Sequence, residues 1–235
     1  MLDLITAKKI EEAYRTGGFF GIIVYGKQNI GKSSYMLKVM AELYAYNWDR
    51  VFKHVVFDLD QVVRVLEKSR KNRIKVIGWD DAGVHGHKYV YFRNREVVEL
   101  IDDWLQVIKT GVAGLIVTTP SPEELMLPLR ANPGMRLGAV RSIGGPYRMV
   151  AVYEPAYFPN RGFRYVKSYY DTFNVMLPDH VYKRYTEMRR KYYVEVEERL
   201  LSKVKERLAS ASAQPRGDDI HTYMPESSDK TIHVE

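Results

Sequence analysis

The sequence contains no cysteine, which excludes disulfides, cysteine-ligated zinc and thiol chemistry. It also lacks any run of about eighteen apolar residues, the length a helix needs to cross a bilayer, so no membrane association is expected. Glutamine is scarce while tyrosine is abundant, with 18 residues, a usage that resembles a thermophile's protein. The opening stretch Met1–Glu12 carries Lys8, Lys9, Glu11 and Glu12. It therefore reads as a charged amphipathic helix rather than a secretory leader. These absences together point to a cytoplasmic protein.

What is present is a chain of 235 residues, 46% hydrophobic, with a net charge of +7. That suits one substantial α/β domain plus an appendage. The charge is uneven. Residues 211–235 hold two cations and five anions, which leaves +10 on residues 1–210. A basic body favours a polyanionic partner, of which nucleic acid is the commonest.

Gly26-Lys27-Gln28-Asn29-Ile30-Gly31-Lys32-Ser33 fits G-x-x-x-x-G-K-[ST], a loop whose backbone N–H groups wrap a phosphate chain. Gly26 and Gly31 allow backbone angles and close approach that a side chain blocks. Lys32 is placed to reach the β- and γ-phosphates, and the Ser33 hydroxyl to reach Mg²⁺. Ser34 offers a further hydroxyl and N–H. Phe19–Tyr25 reads as a buried strand entering the loop and Tyr35–Tyr44 as a helix leaving it, which is the setting the motif requires. The helix dipole adds to the anion site.

A second short strand is expected at 54–58, then a helix at 61–68. Ile74–Gly78 is an apolar strand running into Trp79-Asp80-Asp81. Asp80 is the expected Mg²⁺ partner of Ser33, and Asp81 the expected general base for an attacking water. After a helix over 96–108 comes the strand 114–120. Its polar end supplies a γ-phosphate sensor, with Thr119 the first choice and Thr118 the second. Ser121-Pro122-Glu123-Glu124 then reads as the start of another helix. No N-K-x-D motif for guanine is present, so the expected cofactors are ATP and Mg²⁺.

The phosphate loop, Trp79-Asp80-Asp81-Ala82-Gly83 and Ile116–Leu125 together resemble AAA+ ATPases. Among these the likeness is to helicase loaders, replication initiators and transposition-helper ATPases, and it covers residues 17–137. The resemblance implies a three-layer P-loop NTPase sandwich with a mostly parallel sheet, an ATP hydrolase, and coupling to DNA through a homo-oligomeric ring or filament. It also implies an arginine acting on a neighbouring subunit's site, a region occupied here by Arg130 and Arg136. Two departures stand out. Pro120 follows the sensor threonines where that subgroup often has Asn, and no helical lid is evident. Instead Leu137–Glu154 reads as two strands about Gly144-Gly145-Pro146, and 153–158 with 163–170 as a hairpin about Pro159–Gly162. That continuation resembles the FtsK/HerA and viral DNA-packaging ATPases. The whole suits a virus or plasmid of a thermophile, with a helicase or a capsid as partner. The alternative from another class is a nucleotide or small-molecule kinase with Arg130, Arg136 and Arg141 in a lid.

Two segments interleave aromatics with cations in the manner of single-strand binding surfaces. One is the loop His85–Arg95. The other is the hairpin with Arg148, Arg161, Arg164 and Lys167 among Tyr165, Tyr169 and Tyr170. His85 and His87 have no third candidate ligand nearby, so no metal is assigned to them. From Asp179 a helical stripe of Val181, Tyr185, Met188, Tyr192, Val196, Leu200, Val204 and Leu208 runs to residue 210. The expected organisation is thus an N-terminal helix (1–18), a P-loop core with a β-rich extension (19–178), a long helix (179–210) and a flexible acidic tail (211–235).

Overall fold

The computed structural model describes residues 2–69, 72–82, 103 and 105–213. The loop His85–Arg95, Gly83 and the tail from residue 214 lie outside the described residues, as does most of the helix expected at 96–108. The chain divides into two units, residues 1–189 and 190–235.

Seven strands form one sheet: β1 (Phe20–Tyr25), β2 (Val55–Val56), β3 (Ile74–Trp79), β4 (Val112–Thr119), β5 (Met135–Gly144), β6 (Tyr147–Phe158) and β7 (Gly162–Asn174). Their spatial order is β2-β3-β4-β1-β5-β6-β7. The first five in that order are parallel, and β6 and β7 are antiparallel to their neighbours. β4 is buried at all eight positions and β1 nearly so, as parallel strands covered on both faces must be. β6 runs continuously through both strands that the sequence pattern separates at Tyr153. A bulge lies between Val152 and Tyr153.

Helices cover both faces. On one lie α1 (Ile5–Thr16) and α2 (Lys32–Leu43). A Cβ added at Gly114 of β4 would come within 2.7 Å of Ile10. Glycine there admits the fully buried Ile10, and burial of that side chain contributes about 2 kcal/mol. On the opposite face, Val62 and Val65 of α4 (Leu59–Ser69) and Leu105 and Ile108 of the helical residues 105–111 pack with Ile23, Trp79 and Leu115. A short helix, α3 (Trp48–Phe52), joins α2 to β2. This is the three-layer P-loop NTPase fold, with a β-hairpin extension after its core.

α1 begins at Leu4, which has no capping side chain. Its free N–H groups are satisfied from far along the chain. Asp171 of β7 accepts from Ile5 N at 2.7 Å and Thr6 N at 3.1 Å, and Glu42 accepts from Leu4 N at 3.0 Å. Two carboxylates therefore face the positive end of the helix dipole. The Tyr35 hydroxyl also donates to Asp171, at 2.6 Å, which ties α1, α2 and β7 together through a buried group.

Where the sequence pattern starts a helix at Ser121, the structure has only a 3₁₀ turn, Pro122–Glu124, and then a helical turn, Leu127–Arg130. Leu125 and Met126 between them are extended and buried. Burial of that apolar pair overrides the good start signal. The final helix, α5, runs from Asp179 to Ala213. In the second unit Leu200, Leu201, Val204 and Leu208 are exposed.

Candidate functional site

The phosphate loop joins β1 to α2 at the carboxyl end of the parallel strands. Gly26 has φ +149° and Gly31 φ +104°, in the range that favours glycine. Lys27, Gln28 and Asn29 are exposed at the rim, and Ser34 follows Ser33 in the first turn of α2. Lys32 is buried, and its Nζ donates to the carbonyls of Gly26 and Lys27, each at 3.0 Å. Burial holds its ammonium below the usual lysine range, while Asp81 and Asp80 pull the other way. The loop is backed by the sheet extension. Arg148 Nε donates to Ile30 O at 3.1 Å, and a Cβ on Gly31 would meet Val175 at 2.7 Å.

Because β4 lies between β1 and β3, the end of β4 faces both the loop and the acids. Ser33 Oγ donates to Asp80 Oδ1 at 2.8 Å, and Thr118 Oγ1 donates to the same oxygen at 2.6 Å. Thr118 also accepts from Asp81 N at 2.9 Å, holding Asp81 at φ +49°. Asp80 is fully buried. Burial, and then the charge of Asp81, push its carboxyl up, against the hydrogen bonds from Thr118, Tyr185 and Ser33.

A hydroxyl and a carboxylate in hydrogen-bond contact beside a phosphate loop are the hard oxygen donors that suit Mg²⁺ held jointly with phosphate. Ser33 and Asp80 therefore fit that ion, and Gly26–Ser34 fits a nucleotide phosphate chain.

The other candidates are placed as follows. Thr119 pairs with Tyr25 and turns its hydroxyl to Ser121 O at 2.9 Å, so Thr118 is the threonine brought to Asp80. Arg130 is exposed, and its carbonyl accepts from the Tyr165 hydroxyl at 3.2 Å. Arg136 pairs with Ile22 near the start of β1, donates to Gly134 O at 2.8 Å and lies 4.3 Å from the Phe20 ring centroid. Arg136 is not brought to this chain's own loop, since it belongs to the amino end of the sheet and the loop to the carboxyl end.

Two residues of α5 are part of the site. The Tyr185 hydroxyl donates to Asp80 Oδ2, and Arg189 Nη2 donates to Asp81 Oδ2. Tyr185 is buried, and burial followed by the charge of Asp80 raises its phenol. The sequence pattern places Tyr185 on the apolar stripe of α5, yet the destination of its hydroxyl is not written there. The available signal is the i, i+4 spacing of Tyr185 and Arg189, which puts a phenol and a guanidinium side by side on one helix edge.

No protein-family model matches the chain. The uncharacterized protein B-251 of Sulfolobus spindle-shape virus 1 is 31% identical over 209 residues, spanning 82% of this chain and 81% of that protein. The uncharacterized protein ORF286 of Acidianus two-tailed virus is 39% identical over 122 residues, 51% of this chain and 42% of that one. Among solved structures, the N-terminal domain of zonular occludens toxin from Neisseria meningitidis is similar at a TM-score of 0.41 and 13% identity, over 70% of this chain and 97% of that one. A KaiC-like protein from Pyrococcus horikoshii is similar at a TM-score of 0.37 and 16% identity, over 64% of this chain and 92% of that one. With 31% identity across more than four-fifths of its length, the chain belongs to the family of protein B-251 of Sulfolobus spindle-shape virus 1.

Proposed function

We propose that this protein hydrolyses ATP and couples the turnover to DNA handling in the manner of AAA+ helicase loaders and replication initiators. The observation that carries the ATPase reading is the convergence of Lys32, Ser33, Asp80 and Thr118 at the carboxyl ends of β1, β4 and β3. Gly26–Ser34 binds the phosphates, with Lys32 turning from the loop carbonyls toward them. Ser33 and Asp80 hold Mg²⁺, which when bound neutralises charge on the phosphate oxygens. Asp81 orients the attacking water and takes its proton at a carboxylate oxygen. Thr118, rather than Thr119, fixes the Asp80 carboxylate and the Asp81 backbone, and is the better sensor.

The DNA reading is supported by the basic body and by the β6–β7 hairpin. Tyr157, Phe163 and Tyr165 are exposed there beside Arg161, Arg164 and Lys167. Exposed rings offer stacking surfaces and the cations offer phosphate contacts. The same antiparallel extension, together with the viral relatives, favours a DNA-packaging motor as the second reading. Arg136, at the amino end of the sheet, then acts only across a homo-oligomer, and Arg130 is the other candidate for that role.

The test is steady-state ATP hydrolysis with Mg²⁺, alone and with single- or double-stranded DNA, run beside the mass by light scattering. Lys32→Ala and Asp81→Asn should each lower turnover by about 10²-fold or more, and DNA should raise the wild-type rate. Undiminished turnover in both variants removes the mechanism. A monomer indifferent to DNA removes the coupling. Preferential stimulation by double strands selects the packaging reading.

A further inference from the structure

Both oxygens of Asp80 are engaged by protein donors: Oδ1 by Ser33 and Thr118, and Oδ2 by Tyr185. Asp81 Oδ2 is engaged by Arg189. The two α5 residues lie one helical turn apart and meet two consecutive acids at the end of β3. The neighbouring stripe residue one turn earlier, Val181, is buried and apolar. Packing alone is therefore satisfied by an apolar side chain on this edge. At position 185 the chain instead carries a hydroxyl, aimed at the carboxylate that the proposed metal position needs.

We infer that Tyr185 and Arg189 are positioning residues that hold the two acids in a resting arrangement, so that loading Mg²⁺–ATP displaces them and releases the first turns of α5. The inference rests on the phosphate-site reading above. With Mg²⁺ bound, Asp80 would have to offer a carboxylate oxygen to the metal's water shell, while in the resting arrangement Ser33, Thr118 and Tyr185 together engage both of its oxygens. An attacking water would likewise have to share the Asp81 carboxylate with the Arg189 guanidinium. The two arrangements compete for the same two carboxylates, which links the loading of the site to the freedom of the helix by the difference in contacts between the two states.

The experiment uses the full chain, with Mg²⁺ and a non-hydrolysable ATP analogue as the probe. Amide hydrogen exchange over residues 181–189 is followed with Mg²⁺ alone and with the analogue at saturation. Affinity is measured in parallel for the wild type, Tyr185→Phe and Arg189→Met. Both variants keep the bulk of the side chain and remove the polar contact. The expected result is exchange at least about fivefold faster in the loaded wild type. Each variant should bind the analogue about 10- to 100-fold tighter, the scale of one hydrogen bond to a charged group. Saturable binding with unchanged protection of 181–189 overturns the latch alone, as does weaker binding by Arg189→Met, which marks Arg189 as a phosphate ligand. Binding by none of the three proteins overturns the phosphate-site reading, and the latch with it.

Discussion

Replacing Thr118 and Thr119 one at a time separates two residues that are neighbours in sequence and have different jobs in space. The Thr118 hydroxyl donates to Asp80 Oδ1 at 2.6 Å and accepts from Asp81 N at 2.9 Å. Thr118→Val keeps the shape and removes both. A bond to a buried carboxylate contributes about 1.5–3 kcal/mol, and losing the acceptor of a backbone N–H costs about 1–2 kcal/mol more. If about half of that loss is felt in the transition state, kcat falls about 8- to 70-fold. The Thr119 hydroxyl makes one neutral bond, to Ser121 O at 2.9 Å. Thr119→Val therefore costs about 1 kcal/mol, lowers Tm by about 2–4 °C and leaves kcat within about twofold. Steady-state ATP hydrolysis with Mg²⁺, normalised to the folded fraction from thermal denaturation, measures both. Loss of turnover in Thr119→Val with retention in Thr118→Val would refute the placement of the sensor.

Asp171→Ala should destabilise the protein by about 3–5 kcal/mol, since Ile5 N, Thr6 N and the Tyr35 hydroxyl all donate to that buried carboxylate. The corresponding fall in Tm is about 10 °C or more, and a shift of less than about 2 °C would show that the α1 cap is not formed. Gly31→Ala places a Cβ 2.7 Å from Val175 at φ +104°, which should cost about 1–3 kcal/mol and weaken nucleotide binding. Pairing it with Val175→Ala removes the clash and leaves the backbone strain. Urea unfolding should then recover about 0.5–1 kcal/mol beyond additivity.

The parts of the site that are legible in the sequence are those set by local chemistry. Gly26–Ser33 announces itself through glycine spacing, and the loop does sit between a buried strand and a helix. Asp80 and Asp81 are legible as carboxylates ending an apolar run. The choice between Thr118 and Thr119 is not legible, because β4 is buried on both faces. With no alternation of polar and apolar residues, nothing in the sequence tells which neighbour faces the acids. Tyr185 and Arg189 are hidden for another reason. Their partners lie 105 and 108 positions away, and a helical stripe reports burial without naming what is met there. Burial of Leu125 and Met126 likewise overturned a sound local start signal at Ser121. The union of two expected strands into β6 reflects pairing with both β5 and β7, which no window of local sequence contains.

The capping of α1 by Asp171 also has a consequence in time. The two groups lie 166 positions apart, so at ordinary rates of synthesis the helix emerges on the order of ten seconds before its cap. A helix of 12 residues is marginal by itself in water. The Asp171 part of the α1 cap therefore forms only once β7 has paired with β6 and brought that carboxylate to it. Val175, which packs on Gly31, lies just beyond β7, so the phosphate loop acquires its backing at the same late stage. The first helix made is thus among the last to receive its complete cap.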